Sequence, residues 1–215
     1  MTTFVLAVIC GHDDLISRSQ PLRDEGGEHF VHHGTGVLEA CREFKVPLTY
    51  ISSSEYYGTS QVEPAPMDES HPCAPHSPYG ASKAAADRLC YAWWQTYGLD
   101  VRIVRPFNQY GPGQDVRKVI PRFMIQMMRG EPMSIHGDGE GRRDYVFVQD
   151  TVRGVWLSQY APAGSAMNLG TTLAWSTNEV AHYVKEIGQN LGVTTYAGVV
   201  KRQTYDESRW GHVFC

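Results

Sequence analysis

The chain of 215 residues contains no apolar run that approaches the length of a membrane span. Its one apolar opening, Phe4 to Cys10, is short, lacks a basic flank and runs into Asp13 and Asp14. That pattern describes a buried strand and argues against an export signal. Cysteine is sparse: Cys10, Cys41, Cys73, Cys90 and Cys215 make an odd set with no Cys-x-x-Cys spacing. Reduced thiols in a cytoplasmic protein are therefore expected. An excess of charge is missing as well, since the net value of −4 gives no reason to expect a nucleic-acid or membrane partner. His29, His32 and His33 fall at i, i+3 and i+4, a spacing that can hold a metal on a helix. No carboxylate or cysteine completes that set, so they are read as a solvated helix face, with no metal.

What is present begins with length. A chain of this size makes one domain with its own core, or a domain and a small lobe. Its densest chemistry lies between Ile51 and Lys83. Leu48 to Ile51 is a short strand bounded by Pro47 and a run of serines. It leads into Ser52-Ser53-Ser54-Glu55-Tyr56-Tyr57-Gly58. Ser77 and Pro78 then form an N-cap and a first helical position, which starts a helix that runs to about Tyr97 and stops at Gly98. On that helix Tyr79 and Lys83 share one face, one turn apart. An ammonium beside a phenol favours the phenolate, whose reference pKa is about 10. Such a tyrosine can take a hydroxyl proton near neutral pH.

Around this centre the chain alternates strands and helices. Thr3 to Ile9 is a strand, Glu28 to Phe44 is a helix with an apolar stripe at Val37, Leu38, Cys41 and Phe44, and Val101 to Val104 is a further strand. The loop from Thr59 to His76 carries Pro64, Pro66, Pro72 and Pro75, and it is expected to cover the site. Tyr91, Trp93, Trp94 and Tyr97 make the following helix unusually aromatic, which fits core packing plus a subunit face. Gly137-Asp138-Gly139-Glu140-Gly141 is expected to turn a strand pair, Ser134–Ile135 with Tyr145–Val148, because no helix opens directly after it. Asn168 to Gly170 suggests a strand that returns to the main sheet. Ser176 to Glu179 is a capping-box start for a helix to about Leu191.

These blocks resemble the extended short-chain dehydrogenase/reductase family, in its NAD-dependent nucleotide-sugar epimerase and dehydratase branch. The matching pieces are Gly34-Thr35 with Val37 to Ala40, the serine run through Gly58, and Ser77 to Lys83. Arg105-Pro106-Phe107-Asn108-Gln109-Tyr110-Gly111-Pro112, Val119 to Phe123, Gly137 to Gly139, Arg143 to Val146 with Asp150, and Asn168 to Gly170 follow in family order. The resemblance implies an α/β fold: a Rossmann-like parallel sheet, truncated at its N-terminal side, with a smaller substrate-binding lobe. It divides the chain into a partial Rossmann-like domain at 1–112 and a nucleotide-sugar lobe at 113–215, with 166–170 returning to the main sheet.

The same resemblance assigns roles. Tyr79 takes the proton of a sugar 4-hydroxyl, Lys83 holds it anionic and bonds the nicotinamide ribose, and Ser53 bonds the same hydroxyl. Pro106 and Phe107 lie along the NAD cofactor. Asn108, Val119, Ile120, Pro121 and Arg143 bind the nucleotide-diphosphate sugar, where a guanidinium suits phosphate oxygens. Glu55 matches the glutamate that moves the carbon-5 proton in 4,6-dehydratases. A 4,6-dehydratase is therefore the first expectation, and a 4-epimerase or uronic-acid decarboxylase the second. The helices near 28–44 and 78–97 are expected to pair two copies into a homodimer. One departure stands out: no Gly-x-x-Gly-x-x-Gly precedes the first strand, where relatives seat the cofactor's pyrophosphate. The chain thus corresponds to a family member from partway through its cofactor domain. A fragment, a misplaced start and a shortened protein with a weakened hold on NAD all fit, and so does a catalytically inactive paralogue that partners a longer relative.

Overall fold

Alternation along two short strands explains how the main sheet is built. In β2 (Leu48–Ile51) and β3 (Val101–Pro106), Leu48, Tyr50, Val101 and Ile103 point to one side. They pack there against Leu38 and Cys41 of α1 (residues 35–43) and Ala86 and Cys90 of α2 (Pro78–Tyr97). With β1 (Val5–Ala7) the strands form a parallel ladder that β7 (Ala166–Leu169) extends, in the order β1-β2-β3-β7. Parallel neighbours need a crossover, which α1 and α2 supply. The computed structural model describes residues 5–7, 35–59, 66–192 and 200–203. The histidine spacing at 29–33 and the first residues of the 28–44 helix lie outside these.

α2 has both expected ends. Ser77 accepts from the Gly80 amide at 2.9 Å, Pro78 is the first helical residue, and Gly98 closes the helix at φ 66°. Trp93 and Trp94 pack against the core below, while Tyr91 and Tyr97 are exposed. Burial pushes the Cys90 thiol up to about 12, with the nearby Asp87 charge adding to it. Cys41 and Cys90 are free thiols.

The chain divides into two compact units. The first comprises Met1–Phe107 and Asp150–Leu169. It thus takes back more than the returning strand, because most of α4 (Val148–Ser158) comes with it. Gly154 explains that fit: a Cβ there would lie 2.7 Å from the Leu169 side chain of β7.

The second unit comprises Asn108–Gln149 and Gly170–Cys215. Here α3 (Val119–Met128) and α5 (Thr177–Asn190) enclose a core of Phe123, Met127, Met133, Ile135, Val180 and Ala181. The capping box of α5 is complete, with Ser176 and Glu179 each bonding the other's backbone amide. The expected strand pair around Gly137–Gly141 is not formed. β5 (Met133–His136) pairs with β9 (Val200–Gln203), while β6 (Arg142–Phe147) lies between β4 (Asn108–Tyr110) and β8 (Ala174–Ser176). The glycine turn is held from outside, since the Asn178 amide donates to the Asp138 carbonyl at 3.0 Å and to Glu140 at 2.6 Å. A helix start therefore captures the turn that would have closed a hairpin. No helix among the described residues is long and apolar enough to cross a membrane.

Candidate active site

In open parallel sheets, ligands sit beyond the carboxyl ends of the strands. β2 ends at Ile51, opposite Val104 of β3, and the ladder continues with the Ser52 amide donating to the Val104 carbonyl at 2.8 Å. The serines and Glu55 thus leave the sheet while β3 continues through Arg105 and Pro106. A 3-10 turn, Ser54–Tyr56, fixes their direction, with Ser53 as its N-cap accepting from the Glu55 amide at 3.2 Å.

The start of α2 is seated on this turn. A Cβ on Gly80 would lie 2.8 Å from the Glu55 carbonyl oxygen and 3.1 Å from Pro75, so only glycine allows this approach. One turn further, Lys83 is 4% exposed and its ammonium donates to the Ile51 carbonyl at 3.1 Å. The Lys83 Nζ lies 6.0 Å from the centre of the Tyr79 ring and 5.7 Å from that of Tyr50, the outer range for a cation over an aromatic face. The structure therefore brings the helix face of Tyr79 and Lys83 to the stretch 51–55. Ser53, Glu55 and Tyr79 are half-buried, which leaves them open to a ligand.

Pro106 is buried and Phe107 half-buried, with the Phe107 amide bonded to the Leu169 carbonyl at 2.9 Å. Asn108, Val119, Ile120, Pro121 and Arg143 belong to the second unit. Val119, Ile120 and Pro121 form the first turn of α3, and Arg143 lies on β6. All five are half-buried. No cluster of histidine, cysteine or carboxylate among the described residues could hold a metal.

Sequence reasoning missed a buried network just below. Arg105 clasps Asp87 through two bonds of 2.9 and 3.0 Å and donates to the Tyr57 hydroxyl at 2.8 Å. Its guanidinium lies 3.8 Å from the centre of the Tyr56 ring. Tyr57 in turn donates to Asn168 of β7 at 2.8 Å, and the Asn168 amide reaches the Met67 carbonyl at 2.9 Å. Burial pulls the Arg105 pKa down, but the bonds and charge of Asp87, helped by Tyr57, outweigh it and the net shift is upward. Burial raises the Tyr57 phenol against the opposing pull of Arg105, so it stays protonated. Two signals marked the pair. Arg105 occupies the inward-facing register of Val101 and Ile103, and Asp87 follows Tyr79 and Lys83 at the same four-residue interval.

Comparison with known proteins fits this geometry. The sequence profile of the NAD dependent epimerase/dehydratase family matches residues 16–170. The chain belongs to that family. It is 35% identical over 185 residues to a dTDP-glucose 4,6-dehydratase of Streptomyces griseus, covering 82% of this chain and 56% of the relative. A dTDP-glucose 4,6-dehydratase from Bacillus anthracis, solved in complex with NAD, superposes with a TM-score of 0.73 at 28% identity, covering 84% of this chain and 55% of that one. A UDP-glucose 4-epimerase from Thermotoga maritima, solved with UDP-glucose, gives 0.74 at 30% identity over 84% and 57%. This family member spans about half the length of the curated relatives it matches.

Proposed function

We propose that the chain carries the acid/base centre of a nucleotide-sugar 4,6-dehydratase. The observation that supports this best is the seating of the Tyr79–Lys83 helix face on the Ser53–Glu55 turn at the end of a parallel strand. Tyr79 takes the proton of the sugar 4-hydroxyl, Ser53 bonds that hydroxyl, and the Lys83 charge supports the phenolate. The 4-keto sugar that results has an acidic carbon 5, whose proton Glu55 removes as the 6-hydroxyl leaves. The proton that Tyr79 took from the 4-hydroxyl completes the departing water and restores the phenolate. Glu55 then returns a proton to carbon 5. NAD, when bound, stores the hydride between carbon 4 and carbon 6.

The residues present fit the nicotinamide end of that cofactor. Tyr79, Lys83, Pro106 and Phe107 would hold it, and Ser52 adds a buried hydroxyl with no hydrogen-bond partner at the strand end. Asn108, Val119, Ile120, Pro121 and Arg143 would hold the nucleotide diphosphate. The decisive experiment incubates the purified chain with NAD and dTDP-glucose and follows the nucleotide sugar by mass spectrometry. Loss of one water is expected. An isomer of unchanged mass would mark a 4-epimerase, the reading that the Thermotoga maritima superposition supports. An unchanged substrate, together with no heat of NAD binding at millimolar concentration, would sink both and leave a noncatalytic partner.

We also read the exposed Phe44, just past the end of α1, with Tyr91 and Tyr97 of α2 as a homodimer face. Sedimentation should show a dimer that Tyr97→Glu dissociates. A parent chain sedimenting as a monomer at micromolar concentration would remove that reading.

A further inference from the structure

Tyr79, Lys83 and Asp87 follow one another at intervals of four along α2, so phenol, ammonium and carboxylate share one helix face. A carboxylate one turn from an ammonium is its natural partner, and here that pairing would compete directly with Tyr79. Asp87 is fully buried, and its two oxygens are spent elsewhere: Arg105 takes both, and Arg88 adds a bond of 2.6 Å. Arg105 is held in turn by the Tyr57 hydroxyl and the Tyr56 ring. The clasp thus fixes where the negative charge points.

Resting on the function proposed above, we propose that Arg105 is a positioning residue for the acid/base set. By holding Asp87, it keeps that carboxylate from drawing the Lys83 ammonium away from Tyr79.

Several other charged or titratable groups face the pair. Arg88 comes from α2 itself, Tyr56 from the 3-10 turn and Tyr57 from the residue that closes it, and Glu69 and Cys73 act on those phenols from the following loop. The His71 ring packs 5.8 Å from that of Tyr57. Around Lys83 stand Tyr79 on its own helix and Tyr50 from β2, with the Glu55 residue against the helix start. Among these, Arg88 is the one other cation touching Asp87, and its side chain is 44% exposed, so water screens it. Arg105 is the buried counter-charge.

Two turns of helix set Asp87 about 12 Å from Tyr79 along the axis. At an effective dielectric constant of about 20, one uncompensated charge at that range moves a titration by about one unit. The residual pull of Arg88 reduces this to about half a unit. The sign follows from charge. A carboxylate released by Arg105→Met disfavours the phenolate and moves its midpoint up. Asp87→Asn, which leaves the guanidinium unopposed, moves it down.

The test is a tyrosinate absorbance titration of the full chain, read as the difference between each protein and the same protein carrying Tyr79→Phe. Arg105→Met should raise the Tyr79 midpoint by about half a unit, Asp87→Asn should lower it, and the double variant should return it to the parent value. An unmoved midpoint in Arg105→Met, or two single variants that shift in the same direction, would mark a packing role and overturn the inference. If Arg105→Met does not fold, Asp87→Asn decides, and an unmoved midpoint there is equally fatal. The titration needs neither substrate nor NAD. An inactive parent therefore counts against the proposed reaction, while the midpoints still judge Arg105.

Discussion

Replacing Tyr79 with phenylalanine should lower turnover of the nucleotide sugar by about 10²–10⁴-fold, the range for losing a positioned general base. The substitution removes one oxygen and leaves the ring. That ring is half-buried and adjoins a helix start fixed by the Ser77 cap and the Gly80 contact with Glu55, neither of which uses the phenol. Stability should therefore stay within about 0.5 kcal/mol of the parent by urea unfolding. The two readouts separate chemistry from folding. A variant that keeps most of its turnover would take Tyr79 out of its proposed role. One that loses turnover together with its cooperative transition would show only that the helix start had been damaged. On the proposed reading the phenol acts on the reacting hydroxyl and not on the nucleotide, so the loss should fall on kcat, with KM little changed.

Much of this site was legible because its signals are local. Ser77 followed by Pro78, and Gly98 at the far end, mark α2 to the residue, and the four-residue interval puts Tyr79 and Lys83 on one face. The short β2, bounded by Pro47 and the serines, is equally self-contained, as is the Ser176–Glu179 box. What escaped depends on partners distant in the chain. β5 finds β9 and β6 finds β8, a choice that the intervening Gly137–Gly141 turn cannot announce, because Asn178 arrives from another element to hold it. The Asp87–Arg105 clasp joins a helix to the next strand, and neither residue is unusual in isolation. Arg105 opens the Arg-Pro-Phe-Asn block, and it also faces inward on a strand whose other inward positions are apolar. A charge in an apolar register is the signal that could have found it, since a buried ion must have a partner nearby.

Arg105→Met should destabilise the first unit by about 3 kcal/mol, at the low end of the range for breaking a buried ion pair from one side. The loss is set less by the missing bonds than by what remains. Asp87 is 0% exposed and would keep Arg88 as its remaining partner. Tyr57 would lose the donor to its hydroxyl, while its own bond to Asn168 persists. Methionine fills most of the volume beside the Tyr56 ring, so the cavity contribution is small. Adding Asp87→Leu should recover most of the stability, because removing both charges together leaves no unpaired ion in the interior. The comparison is made by urea unfolding of the single and double variants, with unchanged slopes confirming a shared unfolded state. Equal stability of Arg105→Met and the parent would mean that Asp87 is neutralised without the guanidinium. A double variant as weak as the single would instead locate the loss in packing against Tyr56. Recovery of stability also leaves the chemistry open to measurement, since the doubly neutral protein holds the same helix face without the clasp.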